Sequence, residues 1–191
     1  MPVASSLQEI PLTRIDGQTT SLADFHGKVL LVVNVASQCG LTPQYGGLEK
    51  IYGTYHDRGF EVLAFPANDF AGQEPGTNEE IRTFCTANFG VKFPLFAKVS
   101  VTGPQAHPLF RTLVAARPDA TPADPGFRDG LEKFLASTGS GAHTNPAPGI
   151  LWNFEKFLLD RDGRIVARFS PPTTPEDPRV ISAIEDLLKS A

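Results

Sequence analysis

From Lys28 to Val35 the chain reads KVLLVVNV, a short apolar run rich in β-branched residues. Such a run predicts a strand buried on both faces. It passes into the polar stretch Ala36-Ser37-Gln38-Cys39-Gly40 and then Thr42-Pro43, and proline is favoured in the first turn of a helix. Residues 43–58 place Leu48, Ile51, Tyr52 and Tyr55 at helical spacing, and Gly59 ends that helix. A second apolar run, EVLAFPA, covers 61–67. Strand, helix and strand in this order predict a parallel βαβ unit with a right-handed crossover.

The flanking pattern fills in the rest. Residues 7–22 suggest two short strands around the Asp16-Gly17 turn, and 23–27 is a brief connector. After the polar loop 68–76, Thr77-Asn78-Glu79-Glu80 resembles a capped helix start. That helix carries Ile81, Phe84, Cys85 and Phe89 on its apolar stripe. Residues 94–101 are a strand candidate, and 107–117 a helix with Pro108 in its first turn. Residues 118–149 are the least regular part, a surface excursion in which Phe127, Leu131, Phe134 and Leu135 suggest a short helix. Residues 152–160 and 164–169 read as two antiparallel strands about Asp162-Gly163. Asp177-Pro178 opens a last amphipathic helix with Val180, Ile181, Ile184, Leu187 and Leu188 on one face. The order β-hairpin, β, α, β, α, β, α, β, β, α is that of an α/β chain with a mixed central sheet flanked by helices. It resembles a thioredoxin-like fold with an N-terminal β-hairpin.

Composition narrows the function classes. The 191 residues suit one domain spanning 1–191, and 41% hydrophobic with 20% charged residues is ordinary for a soluble globular chain. A net charge of −4 without a basic run argues against a nucleic-acid partner. The opening residues MPVASSLQEIPLTRIDG show no charged region followed by an apolar one, and no stretch is long enough to span a bilayer. A cytoplasmic, reducing location is the expectation, and with no evident exposed apolar segment the chain is expected to be a monomer. There the two cysteines, Cys39 and Cys85, are either inert or used in redox turnover. They form no CxxC and have no zinc-ligand spacing, so neither metal nor cofactor is expected.

Cys39 falls where a core strand gives way to a helix N-terminus. Unpaired backbone N–H groups and the partial positive charge there favour the thiolate, the nucleophilic form. A buried cysteine at a strand end can equally be packing. Taken singly, Cys85 reads as a core residue, Gln73 as a solvated loop residue, Trp152 as packing and Asn153 as a turn residue.

Together they read differently. Asn34-Val35-Ala36-Ser37-Gln38-Cys39-Gly40-Leu41-Thr42, Phe70-Ala71-Gly72-Gln73-Glu74-Pro75-Gly76 and Trp152-Asn153-Phe154-Glu155-Lys156-Phe157-Leu158 stand in this order along the chain. They resemble the glutathione peroxidase family, from about Leu7 to the C-terminus, and especially its bacterial non-selenium thioredoxin/glutathione peroxidases. The resemblance implies Cys39 as peroxidatic residue, with Gln73, Trp152 and Asn153 completing the catalytic tetrad, and Cys85 as resolving cysteine. It departs from many relatives at Ala67, where a third cysteine is frequent, and at Asp69, where glutamine is common. The excursion 118–149 is longer than in compact members.

The implied chemistry is reduction of hydrogen peroxide and organic or lipid hydroperoxides. The thiolate attacks the terminal peroxide oxygen while neutral amide and indole donors stabilise the developing oxyanion. The resulting sulfenic acid condenses with Cys85, and thioredoxin, as dithiol reductant, restores both thiols. Two alternatives stay open at this point. Glutathione could attack the sulfenic acid directly in a one-cysteine cycle, or the chain could be a redox sensor or relay that passes its oxidation to a partner protein.

Overall fold

The computed structural model describes residues 6–189; part of the N-terminal stretch in which no leader is expected, residues 1–5, lies outside them. The chain opens with the hairpin β1 (Leu12–Thr13) and β2 (Thr19–Thr20). A βαβ unit follows: β3 (Val29–Val35), α1 (Gln44–Tyr55) and β4 (Phe60–Pro66). β3 and β4 run parallel from Val29 opposite Phe60 to Val35 opposite Pro66, and every residue of both strands is buried. Burial on both faces is why these two runs are almost wholly apolar. Gly59 turns the chain from helix to strand with φ +93°, a conformation that costs glycine little.

α2 (Asn78–Phe89), α3 (Pro108–Ala116) and α4 (Pro125–Ser137) come next, then the antiparallel strands β5 (Lys156–Leu159) and β6 (Ile165–Phe169), and finally α5 (Pro178–Lys189). The four-stranded sheet has the order β4-β3-β5-β6, with β5 antiparallel to both neighbours. This is the thioredoxin-like arrangement expected from the sequence.

Two strands differ from expectation. Residues 94–101 form no regular strand. Leu95 bridges Ala64 in parallel and Phe96 bridges Arg14 in antiparallel, with Ala97 N–H on Thr13 O and Val99 N–H on Pro66 O, so the segment lies beside β4 and β1 without a continuous ladder. Pro94 has no N–H to give a ladder, but its carbonyl accepts from Ala64 N–H at 3.1 Å. The other difference is at 152–160, where the strand begins only at Lys156. Upstream of it Phe154 takes a left-handed φ of +66°. Its N–H donates to Asn34 O at 2.6 Å, while Asn34 Nδ2 donates to Trp152 O at 3.1 Å. An asparagine inside a core strand therefore shapes the loop that carries Trp152 and Asn153.

The 118–149 excursion holds a helix of 13 residues, longer than its apolar pattern suggested. Arg168 of β6 ties its two ends together, donating from Nη1 to Arg117 O and Pro148 O, both at 2.8 Å, and from Nη2 to Gly149 O at 3.2 Å.

α2 starts with a capping box: Thr77 Oγ1 accepts from Glu80 N–H at 3.2 Å, and Glu80 Oε1 accepts from Thr77 N–H at 3.5 Å. Thr77→Ala is expected to cost about 1 kcal/mol, read as a lower urea midpoint. Amide exchange across 78–89 should accelerate with it.

Candidate active site

Cys39 lies just past the C-terminal end of β3 and is 9% exposed. Its loop is tight. Thr42 Oγ1 accepts from Cys39 N–H at 2.9 Å and donates to Ala36 O at 2.8 Å, while Thr42 N–H donates to Cys39 O at 3.1 Å. Successive turns carry the chain into α1, with Gln44 N–H on Leu41 O at 2.9 Å and Tyr45 N–H on Thr42 O at 3.0 Å. The Leu41 N–H points at Cys39 Sγ, 3.3 Å away. A backbone donor aimed at sulfur at the mouth of a helix is an arrangement suited to a negative sulfur.

Gln73 reaches the site from the loop after β4. Ala71 and Gly72, at φ +55° and +61°, make the turn that presents it. Gln73 O accepts from Gln38 N–H at 3.0 Å, which joins this loop to the residue before Cys39. Asn153, fully buried, donates from Nδ2 to Gln73 Oε1 at 2.9 Å. The bond commits the Gln73 oxygen as acceptor and leaves its amide N–H groups to donate elsewhere. The structure thus puts Gln73 and Asn153 in direct contact and sets Cys39 and Trp152 on the loops adjoining them.

Trp152 is buried between two rings: Phe70 at 5.4 Å between centroids, tilted, and Phe134 at 6.4 Å, edge-on. Phe134 sits on α4 and is 45% exposed, the one large hydrophobic side chain so exposed among the described residues. The excursion thus contributes an apolar rim beside Trp152. Phe134 belongs to the helical apolar pattern of the sequence, which suggests core packing. Its neighbours Leu131 and Leu135 do pack inward, and Phe134 turns toward Trp152.

Asp69 is held by a turn. Its Oδ2 accepts from Ser100 Oγ at 2.6 Å and Thr102 Oγ1 at 2.8 Å, and the backbone N–H groups of Val101 and Thr102 donate to the carboxylate at 3.2 Å. It anchors the Gln73 loop to residues 100–102.

Cys85 faces the core from α2, fully buried, and both cysteines are free thiols. Burial pushes the Cys85 thiol up to about 11, against a lowering influence of the Tyr45 hydroxyl beside it and with a further push from the negative charge of Glu74. Tyr45 stands in none of the sequence motifs, while Asn34 and Glu74 stand inside them without a role assigned from sequence. A signal for Asn34 was present, as a lone amide in an otherwise apolar strand.

Among the described residues no helix is long and apolar enough to cross a membrane.

Comparison with known proteins supports the same reading of the chain. The sequence model of the glutathione peroxidase family matches residues 7–114. The thioredoxin/glutathione peroxidase BtuE of Escherichia coli (strain K12) is 51% identical over 172 residues, which is 90% of this chain and 91% of that protein. The hydroperoxy fatty acid reductase gpx1 of Synechocystis sp. (strain ATCC 27184 / PCC 6803 / Kazusa) is 48% identical over 91% of this chain and 90% of its own. Among solved structures, GPX1 of T. cruzi superposes with a TM-score of 0.67 at 33% identity, covering 96% of this chain and 97% of that one. With the family model spanning more than half of the residues and such relatives spanning about nine-tenths, the chain belongs to the glutathione peroxidase family.

Proposed function

We propose that the chain reduces hydroperoxides at Cys39, with Gln73, Trp152 and Asn153 as the donors that hold the peroxide. The observation that carries this reading is the Asn153–Gln73 amide contact at 2.9 Å, on a loop bonded directly to Gln38 beside Cys39. In the first step Cys39 Sγ attacks the terminal oxygen of ROOH. An S–O bond forms, the O–O bond breaks, and RO⁻ leaves to be protonated as ROH. Sulfur is oxidised to a sulfenic acid and the peroxide is reduced. In the second step Cys85 Sγ attacks that sulfur, an S–S bond forms, and the oxygen leaves as water.

A dithiol such as thioredoxin then reduces the disulfide by exchange. Glutathione is the other candidate reductant; the Escherichia coli relative bears both reductants in its name. The substrates would be hydrogen peroxide and organic or lipid hydroperoxides. The aromatic rim of Phe70, Trp152 and Phe134 suits an acyl chain, and the Synechocystis relative is named for hydroperoxy fatty acids. We further read residues 1–191 as one peroxidase domain with 118–149 as its surface insertion, acting as a cytoplasmic monomer.

The test is the intact mass of fully reduced protein after one equivalent of hydroperoxide without added thiol. Loss of two hydrogens is expected in the wild type, and gain of one oxygen in Cys85→Ala. No change of mass in either would overturn the role of Cys39. Sustained turnover with thioredoxin, its reductase and NADPH separates an enzyme from a relay that halts at a mixed disulfide with one client.

A further inference from the structure

Lys156 opens β5 opposite Val33 of β3 and is fully buried. Taking an ammonium out of water is costly, and such a group is kept only where its donors find acceptors. Here Lys156 Nζ donates to the Thr173 carbonyl, to Pro171 O at 2.9 Å and to Ser170 O at 3.5 Å. Three carbonyls of one turn thus converge on a nitrogen that has three N–H groups to give. Burial pulls the ammonium down from the ordinary lysine range, and the Glu155 and Asp177 carboxylates oppose this. The turn is also closed on itself, with Thr173 N–H on Ser170 O at 3.1 Å and the hydroxyls of Ser170 and Thr173 2.7 Å apart.

One of those carbonyls has a second partner. Gln44 Nε2 donates to Pro171 O at 2.8 Å. Gln44 is the first residue of α1 and is buried, and its Oε1 has no hydrogen-bond partner among the described residues. The amide keeps that unmatched oxygen in the interior at a cost, so the Pro171 contact is the bond that sets its orientation. A few residues on, Pro175 packs on Gly47 of the same helix, where an added Cβ would meet the proline ring at 3.4 Å.

From Gln44 the contacts lead to the sulfur. Gln44 N–H donates to Leu41 O at 2.9 Å, and Leu41 N–H points at Cys39 Sγ from 3.3 Å. Thr42 braces the inner side of this loop through Ala36 O and the Cys39 N–H. Gln44 braces its outer end, where the loop enters α1.

We propose that Lys156 is a positioning residue for the Cys39 nucleophile: it fixes Pro171 O, Pro171 O seats Gln44, and Gln44 holds Leu41 so that the Leu41 N–H stays on the sulfur. Lys156 acts through Gln44 and takes no part in the displacement itself. An N–H held on sulfur favours the thiolate over the thiol, and the thiolate is the form that attacks. The inference rests on Cys39 being the peroxidatic thiol, as read above.

The test is the pH dependence of Cys39 alkylation by iodoacetamide, read by intact mass on the full chain with Cys85→Ala as background. In Lys156→Met and in Gln44→Leu the midpoint should rise by about one pH unit, the size of one hydrogen bond to an anion. Oxygen addition from hydrogen peroxide should slow about tenfold in both at a pH below the midpoint, where the thiolate fraction sets the rate. Combining the two substitutions should shift the midpoint no further than either alone, because they lie on one path. An unmoved midpoint in either variant overturns the proposal, even where its urea midpoint falls, since a purely structural lysine would lower stability alone. Shifts that add in the double variant overturn it as well. If Lys156→Met does not fold, Gln44→Leu decides, and a midpoint equal to the parent's overturns the proposal. An unmoved midpoint in a protein that still adds oxygen would overturn this inference alone. Moved midpoints in a protein that never adds oxygen would overturn the peroxidatic role of Cys39 and leave the positioning of its sulfur standing.

Discussion

Cys39→Ser is expected to lower hydroperoxide turnover by about a thousandfold or more while leaving the fold unchanged. Serine differs at the site by one atom, and the Leu41 N–H and Thr42 contacts of the loop do not require sulfur to hold the backbone. What is lost is the nucleophile, since a hydroxyl has no accessible anionic form at neutral pH and oxygen attacks peroxide oxygen poorly. In the proposed mechanism the donors on Gln73, Trp152 and Asn153 cannot compensate, because they would stabilise a charge that only displacement generates. The check is a coupled thioredoxin assay together with intact mass after hydroperoxide. Cys39→Ser should show neither oxygen addition nor loss of two hydrogens. Rapid oxidation of Cys85 in this variant would assign the chemistry to the wrong cysteine.

The largest stability effect is expected at Arg168. Its Nη2 lies 2.9 Å from Glu155 Oε2, with the two side chains 3% and 2% exposed. The same guanidinium holds Arg117 O, Pro148 O and Gly149 O and lies over the Phe157 ring at 5.1 Å. Arg168→Met keeps the bulk and removes the charge, leaving the buried Glu155 carboxylate without its counter-ion and three loop carbonyls without that donor. The expected cost is about 3–5 kcal/mol, measured by urea unfolding at pH 8.

The pH dependence has a definite sign. Burial raises the Glu155 carboxyl to about 7 even against the pull of Arg168, from an ordinary value of 4.5. Between those values the folded chain holds a proton that the unfolded chain has lost, so stability rises as pH falls through this window. Without Arg168 the folded value moves higher still. Arg168→Met should therefore regain stability on going from pH 8 to pH 6 more steeply than the wild type. Equal slopes would show that Glu155 is not the group left stranded. Adding Glu155→Gln should recover much of the loss at pH 8, because the uncompensated charge is then gone.

Much of the fold was legible because its centre is local in kind. The runs 28–35 and 61–67 are apolar throughout, and burial on both faces of a parallel pair demands that. Leu131, Leu135 and the core face of α5 follow a helical period for the same reason. The residues 94–101 looked like a strand since PLFAKVSV is extended and partly apolar, yet a strand also needs a continuous partner. Leu95 and Phe96 find single bridging positions on opposite sides, and Asp69 captures the chain at Val101 and Thr102. At WNFEKF the alternation was misleading because Asn34 takes the backbone groups of Trp152 and Phe154. The candidate site was legible through its motifs, which fix residue types in order. The Glu74–Ser37 contact and the seat of Phe134 against Trp152 were not, since both depend on where distant loops meet.

The way the outer strands are dressed limits how another protein can approach. β4 is bordered by 94–99, whose Phe96 N–H and Val99 N–H donate to Ala64 O and Pro66 O, and that segment is in turn bordered by β1 through Ala97 N–H on Thr13 O. On the other side, the Ile165 and Arg168 carbonyls of β6 accept from Arg117 Nε and from Thr121 N–H. Neither flank offers a long bare row of amides and carbonyls on which a foreign strand could zip itself. A protein reductant must therefore read loops and side chains at the Cys39 end of the sheet rather than extend the sheet by β-augmentation. The same dressing denies a second copy of the chain a template for edge-to-edge stacking.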